Sequence, residues 1–401
     1  MLALLLTLVL HVGTGERIND ALDSARAVYA AQGERTTIVI EPGTYQEELT
    51  IDVPGLTLKN ASKKPSIGLR NKGVDCDPEA VRITWYYGHG YQYASMGETV
   101  NYGGSRTRKW NASVLVTAPD FKAENIIFEN SFNLYVSERE AQDSLVDISQ
   151  SDLPWTEKER PKKVMPVRPK EAGSTEVQKK AYRERAAAVS FTSTATNAHL
   201  KNCRAVGRQD VLYGDQGASI YWQGGILQGG VDFIFGAMTM AVDRATIVAN
   251  INGENGDKCY ISAGRSGSDE KGNQISHPSS DVSHQTPRGM LFYKCHIRLA
   301  TEDELEIVNG KCENEKMVWL ARPWRYWGET VWAYTTWDEG VLAPEAWSTG
   351  LTKGQECPNS YEFRCRTNPP AVPRGYTSSP SLSYPTAPNS HPGSGWRNKS
   401  K

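Results

Sequence analysis

Short alternations of hydrophobic and polar residues, separated by Gly, Asn and Asp, fill most of the chain. Several of these segments resemble one another, each with a strand, a small or polar corner and a second strand: 121–131, 198–207, 218–229, 240–250 and 290–300. Cys203, Gly224 and Arg244 mark three corners at steps of about 20 residues, which is the length of one coil in a parallel β-helix. We therefore predict an all-β solenoid. An antiparallel sandwich is the alternative, but Asn-Gly and Asp-Gly turns are not regularly placed between the strands.

The N-terminal part departs from this pattern. Residues 17–32 place Ile18, Leu22, Ala25 and Val28 near one helical face, which predicts a short amphipathic helix. Before it, the apolar run 1–10 has the length of a signal-peptide core but no preceding Lys or Arg. The other interpretation is a buried first strand from Thr7 to Val12.

Three further segments interrupt the repeats. Residues 138–180 are rich in charge and predict a long exposed loop or insertion. Residues 82–113 are rich in Tyr, Trp and Gly, which is consistent with either a packed aromatic loop or a wall that contacts sugars. From 366 to 401 the chain is rich in Pro and Ser, and we expect a disordered tail. The domain prediction is thus one solenoid over residues 1–365, followed by the tail.

Composition narrows the range of partners. The chain has 401 residues, with 45 Lys and Arg against 46 Asp and Glu, for a formal net charge of -1. This balance argues against a protein that coats nucleic acid or anionic lipid. The mean hydropathy is -0.52, and no apolar run approaches the roughly 18 residues of a membrane span. We expect neither nucleic acid nor a membrane as a partner.

Cysteine and histidine spacing gives no metal motif. The seven cysteines are scattered without a C-x-x-C pair, and the seven histidines show no metal-ligand spacing. We therefore expect no metal site. Cys357 and Cys365 could form a disulfide if the protein is secreted. Three sequons permit glycosylation: Asn60, Asn111 and Asn398.

Two aspartates carry the strongest chemical pattern. Asp210 follows Gln209, and Asp232 lies between Val231 and Phe233, about one coil further on. In a solenoid both side chains would lie on one face, roughly 5 Å apart. Two carboxylates so close do not both ionise easily, so one could act as a proton donor. The alternative is a structural Asp that caps a turn.

Arg322 is the candidate partner of this pair. It stands in the segment WLARPW, and an arginine can hold an ionised carboxylate with two parallel hydrogen bonds. Trp324 follows it and offers a ring for stacking.

Four motifs together resemble the pectin methylesterases (pectinesterases), a family of right-handed parallel β-helices. They are GTYQEE at 43–48, GRQDVLY at 207–213, GGVDFIFG at 229–236 and LARPW at 320–324. The resemblance runs from about 14 to 350 and makes a first strand at 7–12 the better interpretation of the N-terminus.

The resemblance implies a role for each site residue. Asp232 would be the nucleophile, Asp210 the general acid and then base, and Gln209 a donor to the developing oxyanion. Arg322 would orient Asp232. Aromatic side chains would contact the substrate: Trp324, Phe235, Tyr213 and Tyr45.

The implied activity is that of a carboxylic ester hydrolase. It would remove methyl esters from the C6 carboxyl of galacturonate units in pectin (homogalacturonan), and release methanol and pectate. We expect a secreted, extracellular monomer that needs no cofactor. The alternatives are a catalytically weak or inactive family member that binds carbohydrate, and another β-helix enzyme such as a pectate lyase.

One position departs from the family. A further Gln, about 22 residues before the Gln-Asp pair, usually helps to form the anion hole. Counting back reaches Ala187, which has no donor. Loss of such a donor can cost about 10²–10³ in turnover. Arg185 is one candidate for a substitute.

Overall fold

The protein is a stack of parallel coils. The computed structural model describes residues 7–89, 91–97, 111–147, 167–178, 185–251, 258–269, 271–275, 288–306 and 318–368. Within these ranges, three long parallel sheets run along the stack, and each coil contributes one strand to each sheet in turn. The fold prediction, a parallel β-helix with an N-terminal helix, is confirmed.

Each sheet is defined here by its described strands. Sheet A contains Thr7–Val12, Arg35–Ile40, Thr57–Asn60, Lys122–Glu124, Ala198–Lys201, Ser219–Gln223, Thr239–Asp243, Met290–Tyr293, Thr330–Ala333 and Ser360–Phe363. Sheet B contains Gly43–Gln46, Val81–Trp85, Ile126–Asn130, Arg204–Val206, Ile226–Gly229, Thr246–Ala249, His296–Leu299, Thr336–Asp338 and Arg366–Asn368. Sheet C contains Leu49–Ile51, Val114–Val116, Val189–Phe191, Leu212–Gly214, Ile234–Gly236, Cys259–Gly264 and Val318–Ala321.

Short antiparallel pairs and helices lie outside the three long sheets. Two antiparallel pairs join Leu69–Arg70 with Asp75–Cys76, and Gln92–Tyr93 with Leu145–Asp147. The α-helices are α1 (Ile18–Gln32) and α2 (Glu138–Gln142). Single-turn 3₁₀ helices in the described ranges lie at Ala94–Met96, Ser131–Asn133, Glu176–Gln178 and Gly350–Thr352.

The core is built from side chains stacked in register. In sheet A, Trp222, Val242, Phe292 and Trp332 occupy one position on successive coils, and each is fully buried. The rings of Phe292 and Trp332 stack 3.9 Å apart at 7°. Full burial of a large apolar side chain contributes about 1.5–3 kcal/mol. Repeated stacking of this kind stabilises the solenoid.

The corners between sheets A and B repeat one backbone geometry. Asn202, Gly224 and Arg244 occupy equivalent places with positive φ, at 48°, 62° and 55°. The predicted corner residue Cys203 is therefore one place too late. The next residue at the Gly224 corner, Gly225, cannot carry a side chain, because an added Cβ would lie 2.1 Å from the carbonyl oxygen of Cys203. Glycine is required here for close packing of two coils.

The N-terminal predictions agree with the structure. Thr7–Val12 forms a strand parallel to Arg35–Ile40, and α1 buries Ile18, Leu22 and Ala25, while Val28 is half-buried. The Glu47 carboxylate accepts hydrogen bonds from the backbone N–H groups of Ile18 (2.8 Å) and Asn19 (3.1 Å). It therefore caps the N-terminus of α1, where negative charge is stabilising. Glu47 of the GTYQEE motif thus has a structural role.

The described part of the charged insertion is largely exposed, as the sequence predicts, but it is anchored by a few buried side chains. Glu140 and Arg168 form a buried ion pair, with 2.5 Å between Oε1 and Nε. The Arg168 guanidinium lies 3.8 Å from the centre of the Phe132 ring, and Tyr93 donates a hydrogen bond to Glu140 at 2.6 Å. Residues 148–166 and 179–184 lie outside the described residues.

The aromatic segment is a packed cluster. Tyr86, Tyr87, Tyr91 and Tyr93 are buried together with Phe132. These rings are not available to a sugar, so the packed-loop interpretation holds for the described part. Residues 98–110 lie outside it.

In the C-terminal half, the structure differs from two predictions, the domain boundary and a disulfide. Arg366–Asn368 is a strand of sheet B, so the solenoid extends beyond the predicted boundary at 365; residues 369–401 lie outside the described residues. Cys357 and Cys365 are free thiols, and the suggested disulfide is absent.

Two of the sequons are inaccessible. Asn60 and Asn111 are buried, and the Asn60 amide donates to the carbonyl oxygen of Glu79 at 2.8 Å. Asn398 lies outside the described residues. No helix in the described ranges has the length and apolar character needed to cross a membrane.

Candidate active site

The two aspartates occupy the same corner of successive coils. Asp210 lies between the strands Arg204–Val206 and Leu212–Gly214, and Asp232 lies at the corresponding place between sheets B and C one coil later. Both have left-handed backbone conformations, with φ of 57° and 50°. Asp tolerates this region better than most residues, and the same conformation recurs at other corners of the solenoid.

Backbone ladder bonds fix the register of the two corners. Gln209 forms a parallel bridge with Val231, and the Asp210 N–H donates to the carbonyl oxygen of Val231 at 3.1 Å. The Leu212 N–H then donates to Phe233 at 2.8 Å. Since stacked strands are about 4.8 Å apart, Asp210 and Asp232 are neighbours across the coils, as the sequence spacing predicts.

Arg322 holds Asp232 with two hydrogen bonds. Its Nε lies 3.0 Å from Oδ1, and its Nη2 bonds to Oδ2. The arginine follows the strand Val318–Ala321, and its backbone N–H donates to the carbonyl oxygen of Ser262 at 2.8 Å. Its guanidinium also lies 4.1 Å from the centre of the Tyr260 ring. The two bonds fix the plane and orientation of the carboxylate.

The electrostatics of Asp232 are those of a desolvated carboxylate. Burial raises the pKa of Asp232 above its usual value, although the hydrogen bonds and charge of Arg322 and the charge of Arg185 act to lower it. Ionised Asp232 is therefore less well solvated than a surface carboxylate, and it is held in one orientation.

Asp210 has an arginine of its own. The carboxylate is buried, and its Oδ2 lies 3.5 Å from the Nε of Arg185. Arg185 forms a parallel bridge with Gln209, so it occupies the position one coil before Gln209. The sequence offers Arg185 as one candidate substitute for the missing Gln, and the structure places it beside Asp210.

The structure corrects the alignment of Ala187 with that position. The N–H groups of Ala188 and Val189 both donate to the carbonyl oxygen of Val211, at 2.8 and 3.2 Å. This irregular pairing absorbs one residue, and the strands beyond it are already paired 23 residues apart (Val189 with Leu212), so a count of 22 residues ends two places too late. Ala187 itself is fully buried.

Three aromatic side chains lie beside the aspartates. Tyr213 and Phe235 occupy equivalent positions on adjacent strands of sheet C, with ring centres 4.8 Å apart, and Trp324 lies 6.4 Å from Phe235. Leu212 and Ile234 point into the core, so Tyr213 and Phe235 lie on the other face of sheet C, where both are buried and only Trp324 is partly exposed. The rings form one apolar cluster next to Arg322.

Tyr45 does not join this cluster. It packs in the hydrophobic core, and its hydroxyl donates to the carbonyl oxygen of Glu41 at 2.8 Å. Burial and nearby glutamates raise the pKa of Tyr45 to about 12. Its predicted role in substrate binding is therefore wrong for this structure.

Two cations near Trp324 were not identified from the sequence. The guanidinium carbons of Arg265 and Arg325 lie 5.3 and 5.5 Å from the centre of the Trp324 ring. Arg265 lies in the loop after the strand Cys259–Gly264, and only the stacking of coils brings it to Trp324. Across the described ranges, no group of three or more His, Cys, Asp or Glu side chains is arranged to hold a metal ion.

The fold and the site define a class, that of parallel β-helix proteins with a paired-aspartate site held by arginine. Residues 172–356 match the family model Pectinesterase, so this part of the chain is similar to that family. Pectinesterase 31 from Arabidopsis thaliana is 28% identical over 178 residues, which are 44% of this chain and 45% of that protein. The alignment thus spans less than half the length of this curated relative.

Solved structures share the fold. The pectin methylesterase from Yersinia enterocolitica superposes with a TM-score of 0.55 at 20% identity, over 92% of this chain and 94% of that one. The enzyme from Erwinia chrysanthemi gives a TM-score of 0.53 at 18% identity, over 92% and 91%. At these identities the likeness supports the architecture.

Proposed function

We propose that the protein is a pectin methylesterase, a carboxylic ester hydrolase that removes methyl esters from galacturonate units of homogalacturonan. One observation carries the proposal: Asp232 is held by two hydrogen bonds from Arg322, in register with Asp210, beside a cluster of aromatic rings. The family match supports it, and a pectin methylesterase of the same fold binds a hexasaccharide.

The first half-reaction forms a covalent intermediate. An Oδ of ionised Asp232 attacks the ester carbon C6, and a bond forms between them. As the C6–methoxyl bond breaks, protonated Asp210 gives its proton to the leaving oxygen, and methanol departs. Gln209 donates a hydrogen bond to the oxyanion that develops on C6. The intermediate is an anhydride between Asp232 and the galacturonate.

The second half-reaction restores the site. Asp210, now a carboxylate, takes a proton from water as the water attacks C6. The bond between C6 and Asp232 breaks, and the free galacturonate leaves. Trp324, the partly exposed ring of the aromatic cluster, would contact the apolar face of a sugar ring, and the buried rings of Tyr213 and Phe235 would support it. We further propose that the protein acts as an extracellular monomer, as a single solenoid domain followed by its C-terminal tail.

The test is methanol release by purified protein from highly methylated pectin, followed together with the acid produced. The proposal predicts one proton for each methanol released, with no unsaturated product that absorbs in the ultraviolet. Pectin binding without methanol release at any pH would instead support a carbohydrate-binding protein. Appearance of the unsaturated product would indicate a lyase.

A further inference from the structure

Arg185 is the second cation of the paired-aspartate site. Its bridge to Gln209, and the bridge of Gln209 to Val231, align three successive coils at the residue before each corner. The carbonyl oxygen of Arg185 accepts a hydrogen bond from the N–H of His89 at 2.8 Å, which fixes its backbone from the other side. The position of Arg185 is thus set by the solenoid on both sides.

The guanidinium of Arg185 contacts a buried carboxylate, while the Arg185 side chain itself is partly exposed. Its Nε lies 3.5 Å from Asp210, whose side chain is 7% exposed, whereas the Arg185 side chain is 28% exposed. Its charge also acts on Asp232, where it lowers the pKa against the larger effect of burial. Arg185 therefore lies within electrostatic reach of both carboxylates.

The two arginines are placed for different tasks. Arg322 donates two hydrogen bonds to the oxygens of Asp232 and packs on the Tyr260 ring, so it holds the attacking group in place. Arg185 lies by the corner that precedes Asp232, beside Gln209 and Asp210. In the proposed reaction this is where new negative charge appears: on the C6 oxygen, and on Asp210 once its proton has gone.

We infer that Arg185 is a catalytic residue, which donates to the developing oxyanion together with Gln209 and stabilises the carboxylate that Asp210 becomes. The inference rests on the proposed function. A preorganised donor acts where charge develops in the transition state, so its removal lowers kcat more than it raises KM. In this chain the anion hole would contain a guanidinium, a charged donor beside the amide of Gln209.

The test compares three variants at position 185 in the full chain. Arg185→Ala should lower kcat for methanol release by about 10²–10³ with KM almost unchanged. Arg185→Gln restores a neutral donor and should recover most of this loss. Added guanidinium ion should raise the rate of Arg185→Ala and leave the wild type unaffected. Arg185→Lys keeps the charge, and gives a measurable protein if the Ala variant fails to fold.

Arg35→Ala is the matched control, because it removes an Arg–Asp contact of similar length (Nη2 to Asp120 Oδ2, 3.3 Å) at a distant sheet. It should leave kcat at the wild-type value. Wild-type kcat in Arg185→Ala, or a loss that neither Gln, Lys nor guanidinium recovers, would overturn the inference alone. A wild-type protein that releases no methanol would overturn the proposed function and this inference together.

Discussion

Two clusters of charge, one at the aspartate corner and one beside sheet B, show that the same solenoid can either lower or raise the pKa of a carboxylate. Beside sheet B, the Glu304 carboxylate accepts from Arg204 (2.8 Å), from two N–H groups of Arg298 (2.7 and 2.8 Å) and from the Thr301 N–H (3.0 Å). Burial acts to raise its pKa, but these donors lower it to about 2. At the aspartate corner, Asp232 has two hydrogen bonds from one arginine, and its pKa is raised.

The two carboxylates differ in the number of hydrogen-bond donors that replace the water lost on burial. Four donors overcompensate for the burial of Glu304, and the result is a stable, inert ion cluster. The two hydrogen bonds from Arg322 do not fully replace the solvation that Asp232 loses on burial, but they fix its orientation. Both features suit a nucleophile. The account therefore predicts that substitutions at the aspartate corner change chemistry, and that substitutions beside sheet B change stability.

After the loss of the nucleophile Asp232, the largest expected effect concerns Asp210. Asp210→Asn removes a group that can give and take a proton, and general acid–base catalysis contributes about 10²–10⁴ in rate. We expect kcat for methanol release to fall by that factor, while the melting temperature changes little. Asp52→Asn, at an exposed pair with Arg26, is the control and should be fully active. A fully active Asp210→Asn would remove Asp210 from the mechanism.

Glu304→Gln tests the other cluster. It removes the paired carboxylate from the buried Arg204 and the partly buried Arg298, and loss of one partner of a buried ion pair costs about 3–5 kcal/mol. Urea unfolding should show this loss of free energy, and methanol release by the folded fraction should be unchanged. Glu302→Gln, at an exposed neighbouring site, should stay within about 0.5 kcal/mol of the wild type. Equal stabilities of the two variants would contradict the comparison.

The lowered pKa of Glu304 also predicts a pH dependence of stability. A carboxyl whose pKa is about 2 in the folded state and near the ordinary value of 4.5 in the unfolded state stabilises the fold above the unfolded pKa. This contribution, on the order of 3 kcal/mol, is lost progressively as the pH falls from about 5 towards 2. Urea midpoints should drop over this range in the wild type and drop less in Glu304→Gln. Parallel curves would show that Glu304 is not responsible.

The smallest expected effect is at the aromatic cluster. Trp324→Ala removes a partly exposed ring whose stacking on a sugar is worth about 0.5–1.5 kcal/mol by analogy with aromatic pairs. We expect KM for pectin to rise up to about tenfold with kcat nearly constant, and Trp324→Phe to recover part of the loss. A fall in kcat at constant KM would instead assign Trp324 to the chemical step.

Sequence alone predicted the coil repeat, the first helix and the pairing of Asp210, Asp232 and Arg322, because these depend on local periodicity and on register. It failed where contacts join distant residues or where the register shifts. Two strands of sheet C at this coil are paired 23 residues apart rather than 22, and the pairing of Ala188 and Val189 with one carbonyl oxygen adds one more, so Arg185 lies where a residue count reaches Ala187. The burial of Arg168 against Glu140 is an exception within a charged segment whose described part is otherwise largely exposed.

The central claim is that Asp232 is the nucleophile, and the most direct test is the initial rate of methanol release by Asp232→Asn. The control is Asp243→Asn, at a buried aspartate on sheet A that accepts a hydrogen bond from Tyr221 at 3.0 Å. Loss of a nucleophile removes nearly all turnover, so we expect a fall of at least about 10⁴ in Asp232→Asn and near wild-type rates in Asp243→Asn. Sustained turnover by folded Asp232→Asn would contradict the account.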